Sequence, residues 1–347
     1  MKYDALFDSI SKLVMHHSPS GAEREIDAVI LDALSGTSAD TWQDRAGNII
    51  GRIKGKDSSR AIAITAHKDE IGCIVKGIRP DGGVEVRKLG GSFPWVYGEG
   101  VVDLLGDYAT ISGILSFGSR HVSHESPQKA HQSDKALHWE DVWIETKLTP
   151  EELKEAGIRP GTRMVVGKHR KMPYRLGDYI ASYTLDNKAS LALLLNIAEE
   201  LESPRQDIYL VASANEEVGA IGAMFFAREN LVDALIALEI CPKSAEYPIE
   251  SDTAPVLLSQ DGYGFYDERL NRQIRSVARE VDVPLQLALL NGFGSDASIA
   301  MKNGHVPRAA CLGFPADNTH GYEIAHLGAI ENCLTILRAF CLTGLGV

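Results

Sequence analysis

The sequence predicts an α/β protein, a mostly parallel sheet flanked by helices and interrupted by an inserted small β-barrel. Three observations carry this reading. The runs "RAIAITAH" (60–67), "DIYLVASA" (207–214) and "DALIALEI" (233–240) are continuously apolar, as in strands buried on both faces. Helical patterns alternate with them, the signature of parallel strands joined by crossover helices. Between about residues 74 and 177 the texture changes to short strands with Gly-rich turns, as in a small barrel or sandwich.

Taken in chain order, "MKYDALFDSISKLVMHHSPSG" has the periodicity of a short amphipathic helix. In "SPSGAEREIDAVILDALSG" a second helix starts near Ser20 and Gly21. It carries Ile26, Val29, Ile30 and Leu34 on one face and stops at Gly36. "AGNIIGRIKG" alternates as a strand and leads into the run ending at His67. The barrel strands are read from "IRPDGGVEVRKLGG", "VVDLLGDYATISGILSF", "GTRMVVGKHRK" and "YRLGDYIASYTL". Residues 119–141 are polar and irregular, a long surface loop in which His121, His124, His131 and His138 are spaced too unevenly for a metal cluster. Thr149 caps a short helix in "TPEELKEAG", with Glu152 at the box position.

The α/β texture returns after Leu185. Leu193, Ile197 and Leu201 stack at four-residue spacing on one helix, and helices in "AIGAMFFARE" and "DERLNRQIRSVAREV" alternate with strands in "APVLLSQ", "LQLALL" and "RAACLGF". A C-terminal helix runs from about His326 to Leu342. The expected division is 1–73 with 178–347 as a catalytic α/β domain and 74–177 as the insert.

Composition bounds the chemistry. The 47 acidic residues outnumber the 35 basic ones, giving a net charge of −12, and such a field repels phosphate backbones and anionic membranes. Nucleic acid and membrane partners are therefore not expected. Cys73, Cys241, Cys311, Cys333 and Cys341 form no CxxC pair and sit mostly in apolar stretches, so structural thiols in a reducing, cytoplasmic setting are expected.

Metal-capable groups end several apolar strands or short turns. "AIAITAHKDEIG" ends in His67 and then Asp69, and "IASYTLDNKAS" places Asp186 just before a helix. "VASANEEVGA" supplies Glu216 and Glu217, "DALIALEI" supplies Glu239, and "LGFPADNTHGYE" supplies His320. In open parallel sheets ligands bind beyond the carboxyl ends of the strands, where these groups would converge. A bridging carboxylate, two more carboxylates and two imidazoles suit a pair of divalent ions about 3.5–4 Å apart. Oxygen and nitrogen donors without thiolate fit Zn, Co or Mn. Asp69, too near His67 to ligate easily, is expected to accept its other ring N–H. Adjacent glutamates divide two tasks, Glu217 holding a metal and Glu216 acting as general base on a metal-held water. "GFGSDAS" reads as a turn lining the substrate pocket, with Ser295 and Asp296 as contacts. A glycosidase would need its carboxyl groups about 5–9.5 Å apart, which neighbours in sequence do not reliably provide, and would leave both histidines unused.

Together, "SPSGAERE", "HKDEIG", "TLDNKAS", "NEEVGAIGA", "GFGSDAS" and "NTHGYE" resemble, in order and over nearly the whole chain, the M42 family of metallo-aminopeptidases. The resemblance implies a phosphorylase/hydrolase-like catalytic domain, an inserted barrel used in dimer contacts, and often a tetrahedral dodecamer. It makes Asp186 the bridging ligand, gives His67 and Glu239 to one metal and Glu217 and His320 to the other, and keeps Glu216 as base and Asp69 as orienter. It implies peptide substrates cleaved at the N-terminus. The family usually has Asp where this chain has Glu239, "DNR" where it has "DNK" at Lys188, and an apolar residue where it has Lys68. Glu239 favours, as the alternative, a metal-dependent deacylase or carboxypeptidase; a non-catalytic scaffold of the same fold is a further one.

Overall fold

The computed structural model describes residues 2–132 and 135–346. The chain divides into two compact units, one formed by residues up to Glu70 with those from Met172 onward, the other by Ile71–Lys171.

The larger unit is built on a 12-stranded sheet. Four parallel strands form its centre, in the spatial order Gln206–Ser213, Asp57–His67, Ala234–Pro242 and Ala309–Asp317. Antiparallel strands continue it on one side through Ile49–Ile53 to Asp40–Gln43, and on the other through Glu323–His326 and Tyr179–Ser182 to Tyr174–Leu176. Val256–Asp261 pairs antiparallel with Ala309–Asp317 and carries Gly264–Phe265 and Gln286–Leu289.

Side chains alternate along the central strands into two cores, as the pleat requires. Ile62, Ile64, Ile208, Leu210, Ile236 and Leu238 pack with the helices Asp4–Val14, Arg24–Ser35, Leu185–Glu200, Glu268–Glu280 and Leu327–Thr343. Ala63, Val211, Leu235 and Ala237 join the second core, with the helices Ile221–Glu229 and Asp296–Lys302. Burial on both faces explains why these strands read as unbroken apolar runs.

Register sets the functional edge. Ser213 pairs with His67, and Glu239 pairs with Gly313 while Ala237 pairs with Thr65. His67 and Glu239 therefore stand at one level at the carboxyl end of the sheet. Gly313 is required beside Glu239, since a Cβ there would lie 2.5 Å from the Glu239 carbonyl oxygen.

The smaller unit is a closed barrel in the order Gly72–Ile78, Val84–Leu89, Trp143–Glu145, Thr110–Ser116, Gly100–Leu105 and Arg163–Val166. The Thr149 capping box is formed, with the Thr149 side chain accepting from the Glu152 N–H and the Glu152 carboxylate from the Thr149 N–H. In the loop 119–141, residues 133 and 134 lie outside the described residues. Trp139 is buried, with its indole N–H donating to the Ser92 carbonyl at 3.1 Å.

Three features differ from the sequence reading. Tyr174–Leu176, placed in the insert, pairs with Tyr179–Ser182 as the outermost strand of the sheet, because the hairpin turn at Gly177 keeps it beside its partner. The strand Glu323–His326 was not expected. "GFGSDAS" opens a helix, Asp296–Lys302, rather than a turn alone. The described cysteines are free and buried, and no helix among the described residues is long and apolar enough to cross a membrane.

Candidate metal centre

The residues that end the central strands meet at one place. Asp186 lies between the two imidazoles: its Oδ1 is 3.0 Å from His67 Nε2 and its Oδ2 is 3.4 Å from His320 Nε2. On the His67 side, Glu239 Oε2 is 4.0 Å from Nε2; on the other side, Glu217 Oε1 is 3.6 Å from His320 Nε2. The two imidazoles thus share Asp186, and each has a further carboxylate beside it, Glu239 for His67 and Glu217 for His320. The donor atoms of His67, Asp186 and Glu239 all lie within 4.8 Å of one another, as do those of Asp186, Glu217 and His320. Glu216 Oε2 stands 4.0 Å from His67 Nε2, and Glu216 joins His67 and Glu217 in a third such group.

The electrostatics ask for a cation. Among the described residues, the only basic partners within ion-pair distance of Asp186, Glu216, Glu217 and Glu239 are the two histidines. Burial pushes Glu216 and Glu239 well above the usual carboxylate range and Glu217 up to about 7, with neighbouring carboxylates adding to the rise. Asp186 is held below its usual value, because His320 and His67 outweigh its burial. Burial opposes the charged form of both imidazoles, yet the acids raise them nonetheless, His320 to about 10. A nest of carboxylates that cannot all ionise without positive charge, together with oxygen and nitrogen donors and no thiolate, fits hard or borderline divalent ions.

The supporting contacts hold the acids in place. Asn187 Nδ2 donates to Glu239 Oε2 at 3.0 Å and to the Leu238 carbonyl at 2.7 Å, pinning the carboxyl to its own strand. The expected pairing of Asp69 with His67 takes a different form. His67 Nδ1 lies 3.1 Å from the main-chain oxygen of Asp69 and 3.5 Å from its Oδ1. The Asp69 carboxylate also accepts the Glu216 N–H at 2.9 Å, the Glu217 N–H at 3.2 Å and the Ser20 hydroxyl at 2.7 Å. It fixes the turn bearing both glutamates as well as flanking the imidazole.

Ser295 and Asp296 do not line an open pocket. Ser295 caps the helix Asp296–Lys302, accepting the Ser298 N–H, and lies 2.8 Å from the Tyr266 hydroxyl. Asp296 is buried and accepts the Ser213 hydroxyl. Helix capping turns the Ser295 side chain inward, and the hydrogen bond from Ser213 holds Asp296 inside. Of the loop histidines, none joins a group of three metal-capable side chains among the described residues.

Glu323 was missed by the sequence reading. It is 1% exposed, and its carboxylate accepts two amides, Asp186 N–H at Oε2 and His320 N–H at Oε1, each at 3.0 Å. One side chain therefore registers two of the candidate ligands against each other. Its signal was present in "HGYE", an acid three residues beyond His320, but only the strand that follows brings it back under Asp186.

Comparison with known proteins gives a consistent result. The family model for M42 glutamyl aminopeptidase matches residues 47–336. The lysyl aminopeptidase of Pyrococcus furiosus is 24% identical, over 96% of this chain and 96% of its own. Among solved structures, an aminopeptidase from the archaeon Desulfurococcus kamchatkensis superposes with a TM-score of 0.89 at 25% identity, covering 99% of this chain and 96% of the other. The Pyrococcus horikoshii TET1 peptidase, described as assembling into a tetrahedron or a large octahedral shell, shares the fold with a TM-score of 0.87 at 22% identity, over 97% and 99% of the two chains.

Proposed function

The chain belongs to the M42 glutamyl aminopeptidase family, and from that premise we propose that it hydrolyses peptides from the N-terminus using two divalent ions. His67, Asp186 and Glu239 would hold one ion and Asp186, Glu217 and His320 the other. The observation that carries this reading is the division of Asp186, one oxygen toward each imidazole, with a separate carboxylate completing each side. When bound, such ions polarise a carbonyl and make water acidic near neutral pH, whether they are Zn, Co or Mn.

The remaining work falls to the chain itself. Glu216, unpaired by any lysine or arginine among the described residues, takes the proton of the attacking water and returns it to the leaving amine. Asp69 keeps Glu216 and Glu217 aimed by holding their amides. His320, with 37% of its side chain exposed, stands on the open side of the site where a peptide end arrives. Asn187 leaves Glu239 little freedom to use its longer arm.

Assembly is proposed by analogy: a dimer joined through the barrel unit, the building block of a larger shell such as that described for the Pyrococcus horikoshii protein. Buried free thiols support a cytoplasmic location.

The test is hydrolysis of matched short peptides with free or acetylated N-termini after supply of Zn²⁺, Co²⁺ or Mn²⁺. Cleavage of only the free-amine forms, from the N-terminus, is expected. Cleavage of acetylated forms would move the assignment to a deacylase. Glu216→Gln, with metal retained, is expected to lower kcat by about 10²–10⁴; an unchanged kcat would remove Glu216 from its role.

A further inference from the structure

We infer that Lys68, acting through Glu23, is a positioning residue for the turn that presents Glu216, an inference resting on the assignment of Glu216 as base. The chain leaving the strand Gln206–Ser213 presents three consecutive amides, and each ends on a carboxylate. Asn215 N–H donates to Glu23 Oε1 at 3.1 Å, and those of Glu216 and Glu217 donate to the two oxygens of Asp69. Asp69 fixes the second and third amides; Glu23 alone fixes the first. That first position matters because Asn215 stands in the left-handed region, at φ 57°, which side-chain-bearing residues adopt uncommonly and Asn tolerates better than most, so the bond to Glu23 helps select this turn.

Glu23 is itself held. It is 7% exposed, accepts the Gly21 N–H at 3.2 Å, and its Oε2 lies 2.5 Å from Lys68 Nζ. Lys68 is fully buried and also pairs with Asp27. Its main-chain N–H donates to the Ser213 carbonyl at 2.9 Å. The lysine is thus tied through its backbone to the strand from which the turn departs, and through its side chain to the acid that holds the turn. Neither Lys68 nor Glu23 is in any group of side chains placed to hold a metal among the described residues.

Removing the ammonium would leave a buried carboxylate without its counter-charge. Such a group takes up a proton or swings toward water, and either response weakens its hold on the Asn215 amide. The predicted consequence is a displaced Glu216 with the ions still bound, so the chemical step slows while substrate and metal affinity stay.

The experiment compares Lys68→Met, Lys68→Arg and the isosteric Glu23→Gln in the full-length protein, with Glu216→Gln as control. Three readouts are taken: kcat and KM on a free-amine peptide, Zn²⁺ affinity by competition with a chromophoric chelator, and deuterium uptake of the peptide spanning 213–220. Lys68→Met is expected to lower kcat by about 10- to 100-fold, because a 1 Å misplacement of a reacting group can cost about 10²-fold. KM and Zn²⁺ affinity should stay within twofold, uptake should rise in 213–220 and not in the strand Asp57–His67, and Lys68→Arg should restore most of the rate. Glu23→Gln should show the same pattern, which keeps the test open if Lys68→Met does not fold. Wild-type kcat in Lys68→Met or, if that variant does not fold, in Glu23→Gln would overturn the inference, as would a rate loss matched by Zn²⁺ loss or no rescue by arginine. An active Glu216→Gln would instead defeat the assignment of the base itself.

Discussion

The barrel and the carboxyl edge of the sheet treat charge in opposite ways. In the barrel, Asp107 meets Arg159 and Glu99 meets Arg120 at the surface, and these basic partners hold both carboxyls below their usual values. At the sheet edge, Glu216, Glu217, Glu239, Asp296 and Glu323 are all pushed up, first by burial. Exposed pairs contribute little to stability, whereas buried acids without basic partners work against it. The cations proposed above would offset the second arrangement. The contrast therefore separates solvated charge from charge arranged for chemistry, with no appeal to motif.

The largest effect that could break this contrast is at Glu323. Glu323→Ala strips two buried amides of their acceptor and should lower stability by on the order of 2–4 kcal/mol in urea unfolding. Zn²⁺ affinity should fall with it, because Asp186 and His320 lose their common support. Asp107→Ala in the barrel should leave the urea midpoint where it is. Equal losses from both would erase the distinction drawn between the two regions.

The pH dependence sharpens the comparison. In chelated protein Asp296, Glu217 and Glu323 titrate at about 6, 7 and 8, above the value near 4 of an unfolded carboxylate. The folded chain then binds more protons than the unfolded one across about pH 5 to 8, so stability falls as pH rises through that window. The raised His320, at about 10, acts in the same direction. The barrel's Glu99 and Asp107, with lowered values, act oppositely, contributing above about pH 4 and losing that contribution as pH falls. Calorimetry in EDTA should show Tm dropping from pH 5 to 8, and added Zn²⁺ should cancel the drop, because the ion favours the ionised acids. A chelated Tm that climbs over that range would contradict the assignment.

The smallest effect lies wholly in the barrel. Thr149→Ala removes one half of the Thr149–Glu152 capping box and should cost about 1 kcal/mol, read by urea unfolding, with kcat unchanged. A change in kcat would mean that the cap matters to catalysis as well as to its own helix.

Much of this was legible in the sequence, and for identifiable reasons. A strand buried on both faces must be apolar along its length, so the runs ending at His67, Ser213 and Ile240 declared themselves. A polar group at the end of such a run is conspicuous, which is why His67, Glu216, Glu217 and Glu239 stood out, and the barrel's Gly-rich turns were equally visible. What the sequence alone left undecided was partnership. Glu323 lies far along the chain from Asp186, and only the antiparallel pairing of Glu323–His326 with Tyr179–Ser182 brings its carboxylate beneath the Asp186 amide. Ser295 and Asp296 read as an open turn until a short helix buried them. Asp69 looked like a partner for one imidazole and proved also to clasp two amides from the turn beyond a neighbouring strand. Periodicity records which side of an element faces the core; hydrogen bonds between segments remote in sequence depend on register and approach, which exist only once the sheet has closed around them.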